Sequence, residues 1–499
     1  MRFNRAIFEQ LKFNASHVGS RTAVKDGELT LSWFETFHSS LRMARIIFDF
    51  MEEHQPGFPK RVIVRGDGSI SHVLVLISVL LGRITYIPYN RTLARSETMG
   101  EFSDLVNLII ESNTIRFSIR ERILFQLSIS DLVNESGLES ANLTSSQDFS
   151  AAFYFTSGTT GAPKIIVSSL NNLVRGGRFV IKALDIESQD VIAGTLQLDF
   201  DYGVNQVMCV LLQGITYICC PFSSKKTSWI KQVSENRVTI VPAMPFLIER
   251  YFVKRKHEEI PNCVRLVTSS GAPFTEKHLE SVRNLFASAK PSPMYGLSEG
   301  FRATILRPED FVRKPGSVGL PIGDTDIAII DSEGNFLNSN QEGEILQSQG
   351  CSTWGYYKNP METNKRFVSF DDLPNRIWIK SGDIGYLDEE GFLYVTGRIE
   401  SQIKRFGIRI SIDEVETAVK ELPGVREAVV IPIRVNQTES SIYLAVSSES
   451  LNEPELIGLL RKLPAEYYPD KLMLASELPA NYNGGKPDRV AIKEMFYGS

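Results

Sequence analysis

Between Lys60 and Tyr295 the apolar positions switch repeatedly between two patterns. Short continuous apolar runs read as buried strands: Arg61 to Val64, Thr85 to Ile87, Ile215 to Cys219, Val238 to Val241 and Val264 to Thr268. Longer stretches read as helices between them: Ser69 to Leu81 after an Asp67-Gly68 turn, Ser228 to Glu235 and Glu276 to Phe286. Alternation of this kind predicts parallel sheets covered by helices. From Ser317 to Tyr394 glycine-bounded β runs take over (Ile327 to Ile330, Gly343 to Gln347, Phe392 to Val395), which predicts a β-rich subdomain.

After Gly397 the pattern changes. Ser411-Ile412-Asp413-Glu414 reads as a capping box. Ile412, Val415, Val419 and Leu422 come next at helical spacing until Pro423-Gly424 stops them. Strands Glu427 to Ile431 and Ile442 to Val446 and a helix Glu453 to Leu463 complete a small α+β unit. The expected fold is therefore α/β. A large N-terminal domain spans 1–399, and a small α+β domain spans 400–499, with the boundary between Gly397 and Ser401.

Length and composition narrow this picture. The 499 residues exceed what one core holds, and about three units are expected at roughly 150 residues each. Hydrophobic residues at 42% and charged residues at 23% are ordinary for a globular chain. The net charge is 54 − 59 = −5, so the chain as a whole offers no attraction to phosphate backbones, and nucleic acid is not an expected partner. Five cysteines (Cys209, Cys219, Cys220, Cys263, Cys351) show neither C-x-x-C nor zinc spacing and read as buried thiols in a reducing compartment. Met1 to His17 alternates charged and apolar residues and does not read as a signal peptide. The longest apolar run, near Val73 to Gly82, falls short of the ~20 residues a bilayer needs. A cytoplasmic protein without membrane insertion is expected.

The densest chemistry lies in Tyr154-Phe-Thr-Ser-Gly-Thr-Thr-Gly-Ala-Pro-Lys164. A β run enters a Gly/Ser/Thr-rich loop that ends in lysine. Glycines allow close backbone approach, and hydroxyls with N–H groups can cradle phosphate oxygens. A Walker A pattern cannot be laid on it. A surface linker would not follow a β run directly or carry three threonines in five residues.

Five further segments come in order: Ser269-Ser-Gly-Ala-Pro273, Tyr295-Gly-Leu-Ser-Glu299, Lys380-Ser-Gly-Asp383, Gly397-Arg398 through Gly407, and Gly485-Lys486-Pro-Asp-Arg489. With the loop, they resemble in order the motifs of the adenylate-forming superfamily, which includes acyl-CoA synthetases, nonribosomal peptide adenylation domains and luciferases. The resemblance runs over essentially the whole chain.

What the resemblance implies also makes chemical sense residue by residue. Thr156, Ser157, Gly158, Thr159, Thr160, Gly161 and Lys164 would hold the β- and γ-phosphates of ATP. Gly271, Ala272, Pro273, Gly296 and Ser298 would line the nucleotide side, and Tyr295 would stack on adenine. Asp383 would accept the ribose hydroxyls, with Arg398 near the ribose or phosphates. Glu299 would ligate Mg²⁺, an oxygen-seeking ion. Lys486, together with Thr156 and Glu299, would act on the reacting phosphate as a carboxylate attacks it. Glu400 aligns with the hinge about which the second domain turns, and Gly407 would line a tunnel for a pantetheine arm. The implied reaction makes an acyl-adenylate and then a thioester on coenzyme A or on an acyl or peptidyl carrier protein.

Some positions depart from the family pattern. Ile165 stands where glycine is usual, Ser168-Ser169 where Ser-His is frequent, and Ser411 where Glu is common. Asn483-Gly484-Gly485 adds one residue before Lys486. Phe200-Asp201 matches the place where amino-acid-activating members carry Phe-Asp, and Arg302 comes three residues after Glu299. With Asn205 and Met294 they form the expected acid pocket. Buried charge suits a small polar or amino-bearing acid better than a plain fatty chain. Two other readings stay open: a non-thiol acceptor, and a catalytically silent nucleotide or acyl binder.

Overall fold

The structure is a computed structural model that describes residues 1–89, 102, 104–111, 114–133, 142–144, 148–156, 164–222, 228–252, 263–348, 352–370, 376–399, 401–405, 408–434, 440–480 and 487–497. The chain forms two compact units. The first takes Met1–Ile327 and Gln347–Lys380, and the second takes Ala328–Leu346 and Ser381–Ser499. By compactness the chain divides elsewhere than at 399/400, and that position lies inside the second unit. The reason is a hairpin: strand Trp378–Leu387 pairs with Leu393–Arg398 from Asp383 onward, which ties residues 381–387 to the stretch that leads into the C-terminal hundred residues.

Two large sheets build the first unit. In the nine-stranded sheet, Lys290–Leu297, Leu266–Ser269, Ile240–Pro242, Val191–Gly194, Thr216–Cys219 and Thr22–Asp26 lie side by side and parallel. Antiparallel strands flank them: Phe301–Ile305 at one side and Leu29–Ser32 at the other. Long-range parallel pairing needs both faces covered, and the apolar runs supply that. The helix Ile70–Leu81 is buried along its whole length.

The seven-stranded sheet has the expected parallel centre and antiparallel additions at both edges. Only Ser150–Thr156, Thr85–Pro88, Arg61–Arg65 and Val106–Glu111 run parallel. Lys164–Ser169 adds antiparallel at one end, and Thr114–Ile119 with Arg122–Ser128 at the other. The latter hairpin turns through Arg120 and Glu121, both with left-handed φ (48° and 64°). Such turns usually announce themselves with Asn-Gly or Asp-Gly, and this one does not.

In the second unit, Glu427–Arg434, Ser440–Ser447 and Lys471–Ala475 form a three-stranded sheet over the helices Ile412–Lys420 and Glu453–Leu460. The capping box expected at Ser411 does not form. Ser411 closes the strand Ile408–Ser411, makes no side-chain cap, and its hydroxyl is buried without a partner among the described residues. A side chain on Gly397 would approach that hydroxyl to 2.8 Å, so the glycine there serves packing. No helix among the described residues is long and apolar enough to cross a membrane.

Candidate active site

The carboxyl ends of the parallel strands gather the first unit's chemistry, where ligands of open α/β sheets are bound. Val191–Gly194 leads to Phe200 and Asp201, Leu266–Ser269 leads to Gly271, Ala272 and Pro273, and Lys290–Leu297 leads through Met294 and Tyr295 to Ser298 and Glu299. Gly271 adopts φ +92°, Ala272 and Pro273 are exposed beside it, and Tyr295 is buried.

Glu299 sits at the tip of a tight hairpin whose sequence is dictated by contact. A Cβ on Gly296 would lie 2.2 Å from the Phe301 carbonyl oxygen. One on Gly300 would lie 2.4 Å from Gln347 Nε2, which donates to the Gly300 carbonyl (2.6 Å). Phe301 itself takes a left-handed φ of 64°, at a cost on the order of 1–3 kcal/mol. Its buried ring fills the space left by Gly176, where a Cβ would come within 2.2 Å. Burial of the ring offsets the strain and holds Glu299 in place.

The phosphate-loop lysine is brought to the same region by sheet register. Thr156 and Lys164 are cross-strand partners, so the loop between them closes a hairpin. Residues 354–357 then lie along the lysine's strand: Trp354 N–H donates to the Val167 carbonyl, Val167 N–H to Gly355, and Tyr357 N–H to Ile165. This places Tyr356 against Ile166. The Tyr356 hydroxyl donates to Glu299 Oε1 (2.6 Å), and the ammonium of Lys164 lies 5.5 Å from the Tyr356 ring centre. Burial raises the Tyr356 hydroxyl's pKa, and the Glu299 carboxylate raises it further.

The short helix Pro360–Arg366 comes next, capped by Asn359, which accepts from Glu362 N–H. Its Glu362 Oε1 meets Lys164 Nζ at 2.7 Å, and its Arg366 Nε stands 3.6 Å from Glu299 Oε1. The lysine holds the Glu362 carboxyl below its ordinary range. Sequence reasoning passed over Tyr356, Glu362 and Arg366. The signal that could have found the helix is Asn359-Pro360 with Glu362 beyond it, a cap with proline at its first turn.

Mg²⁺ can be tested against this donor set. Among the described residues no cluster of three His, Cys, Asp or Glu exists. Such an ion is often held by one or two carboxylates plus substrate phosphates, and Glu299 fits that role. Tyr356 and Arg366 both approach its Oε1.

Two of the residues expected at the acid, Asp201 and Arg302, also meet. Arg302 Nη1 donates to Asp201 Oδ2 at 3.3 Å, and its guanidinium lies over the Tyr202 ring at 4.5 Å. Tyr202 in turn shares a 2.7 Å hydrogen bond with Thr268. A Cβ on Gly203 would lie 1.9 Å from the Gln197 carbonyl, which explains the Tyr-Gly pair opening the helix Asp201–Gln213. Three buried polar atoms here lack partners among the described residues: Arg302 Nε, Asn205 Nδ2 and the Tyr154 hydroxyl. Beside them, burial pushes the Asp199 carboxyl up to about 7.

In the second unit, Asp383 and Arg398 are cross-strand neighbours. Arg398 Nε lies 2.8 Å from the buried Asp383 carboxylate. Asp383 N–H donates to Ser381 Oγ, and Gly382, with φ +70°, donates to Glu344. The Thr156 side chain, Ser157, Gly158, Thr159, Thr160, Gly161, Glu400, Gly407 and Lys486 lie outside the described residues.

Known proteins bear on this arrangement. Residues 11–357 match the family described as AMP-binding enzyme. Fumosorinone synthetase of Cordyceps fumosorosea is 27% identical over 511 residues, which is 95% of this chain and 12% of that protein. The 2-succinylbenzoate–CoA ligase of Oceanobacillus iheyensis is 29% identical over 337 residues, 66% of each. The chain thus covers less than two thirds of either relative's length. The structure of O-succinylbenzoate coenzyme A synthetase from Bacillus subtilis in complex with AMP superposes with a TM-score of 0.80 over 97% of this chain and 98% of that one, at 23% identity. That likeness speaks to the fold. The family match spans most of the sequence and includes the phosphate loop, the Glu299 hairpin and Tyr356, so this chain belongs to the AMP-binding enzymes.

Proposed function

We propose that this chain uses ATP and Mg²⁺ to convert a small polar or amino-bearing carboxylic acid into an acyl-adenylate and then passes the acyl group to a thiol. The observation that carries the proposal is the convergence of Lys164 and Glu299 through Tyr356, in the same unit as the Asp201–Arg302 ion pair. In the first step a carboxylate oxygen of the acid attacks the α-phosphorus, and the bond to pyrophosphate breaks. In the second, a thiolate attacks the acyl carbon and AMP leaves. Lys164 and the loop Thr156 to Gly161 hold the departing phosphates, and Lys486 stabilises negative charge at the reacting phosphate. Glu299 would hold Mg²⁺, which would supply charge neutralisation on the phosphates. Asp383 and Arg398 serve the ribose, Tyr295 the adenine.

The acceptor is the pantetheine thiol of coenzyme A or of a separate carrier protein. A 400–499 body turning about Glu400 exchanges the two steps, with Gly407 lining the thiol's path. We place the reaction in the cytoplasm, in keeping with the free thiols of Cys209, Cys219, Cys220 and Cys263.

ATP–pyrophosphate exchange against amino, aryl and aliphatic acids tests the first step. One class of acid should support exchange, and Lys486→Ala should reduce it by about 10²-fold or more. Exchange with no acid would replace this reading by that of a silent binder. Glu400→Pro should stall thioester formation while sparing exchange, and equal loss of both would remove Glu400 as the hinge.

A further inference from the structure

The helix Pro360–Arg366 presents two opposite charges one turn apart. Residues at i and i+4 share a helix face, so Glu362 and Arg366 point the same way. Glu362 meets the lysine of the phosphate loop at 2.7 Å, and Arg366 meets the carboxylate Glu299 at 3.6 Å. Each thus sits on a group that, on the reading above, must turn to nucleotide or metal. Neither contact is a full structural anchor. The Lys164 and Glu362 side chains keep 24% and 28% of their exposure, and Arg366 Nε is buried without a hydrogen-bond partner, too far from Glu299 to bond it well. The helix is fixed from elsewhere: Thr363 Oγ1 accepts from Tyr356 N–H, and Gly355, at φ +89°, gives Thr363 the room to pack.

We infer that Glu362 and Arg366 are positioning residues that act as built-in counter-ions, standing in for phosphate at Lys164 and for magnesium at Glu299 until the magnesium nucleotide displaces them. They keep both groups aimed and compensated in the nucleotide-free enzyme, and they weaken its affinity. The inference rests on Lys164 and Glu299 facing nucleotide and metal. It carries a sign that a structural role would not produce: removing either counter-ion strengthens binding instead of weakening it.

Equilibrium binding of ATP to the full chain, measured by titration calorimetry without acid or thiol, with and without Mg²⁺, tests this. Glu362→Gln should tighten ATP by about threefold to tenfold whether or not Mg²⁺ is present, as removal of a competing charge at a half-exposed site predicts. Arg366→Gln should leave metal-free ATP close to wild type and raise the tightening that Mg²⁺ confers by a similar factor. Arg366→Lys, which keeps the charge, should restore the wild-type Mg²⁺ dependence. Unchanged or weakened binding in both Gln variants, with melting temperatures showing them folded, would overturn the counter-ion role and leave the active-site reading standing. No ATP binding by the wild-type chain would overturn both.

Discussion

The two ends of the first unit's site both hold ion pairs, but of different kinds. At the acid end, Arg302 and Asp201 keep 5% and 16% of their side-chain exposure, and the guanidinium rests on the Tyr202 ring. At the phosphate end, Lys164 and Glu362 keep 24% and 28%. A buried pair persists because each charge would be stranded without the other. A half-exposed pair contributes little and can exchange partners with water's help. On the function proposed above, the first would be a fixed wall against the acid, and the second a latch that a ligand would displace.

The sharpest way to break this contrast is Arg302→Met. It leaves Asp201 as an uncompensated buried charge and should destabilise the fold by about 3–5 kcal/mol. Adding Asp201→Leu should recover much of that stability without restoring the wild-type preference among acids in pyrophosphate exchange. Denaturant melts of the two variants check the first part. A single variant as stable as wild type would show that the pair is not a wall.

A second test lies just upstream. Burial holds Asp199 protonated up to about pH 7, whereas its ordinary value is 3.8. Between those values the folded chain binds more protons than the unfolded one, so this residue makes stability fall as pH rises through that window. Asp199→Asn keeps the neutral shape and removes the penalty. Its advantage over wild type should be absent at pH 4 and grow to on the order of 2–4 kcal/mol by pH 8, read from melting at each pH. His72, buried and pushed down to about 4, works in the opposite direction over pH 4 to 6.5 and is common to both proteins, so the difference between them isolates Asp199.

How far these features were legible in the sequence tracks the same divide. Motif residues with a local reason to exist could be read directly. Gly296, part of the Tyr295-Gly motif, stands where a side chain would strike a carbonyl oxygen, and the strands Arg61–Arg65 and Leu266–Ser269 show their burial in continuous apolar runs. Partners could not be read, because a charge does not name the residue that meets it. Lys164 and Glu362 are 198 positions apart, and the register of residues 354–357 against the Lys164 strand brings them together. Asp201 and Arg302 were both expected in the acid pocket, yet nothing in their spacing told a pair facing substrate from one formed for packing. The capping box failed for a related reason. Its pattern is local, but Ser411 is held in strand pairing with Gln402, so tertiary context overrode the cap.

The smallest effect is also the most discriminating for the latch. Glu362→Gln removes one charged partner of Lys164 from a partly exposed pair, so the change in stability should stay below about 1 kcal/mol. Its sign and salt dependence carry the information. The Glu362 carboxyl is held below its ordinary range by the lysine, so whatever stability it gives is present at neutral pH and is lost as pH falls through its lowered pKa. Raising the ionic strength should erase the difference between variant and wild type, because screening acts on exposed pairs first. The cost of Arg302→Met should survive the same salt, since its pair is shielded from ions in solution. Melting temperatures of both variants at low and high salt decide the matter. If the Glu362 difference persisted in high salt at the size of the Arg302 difference, the pair would be a structural lock, and a nucleotide would have no cheap way to displace it.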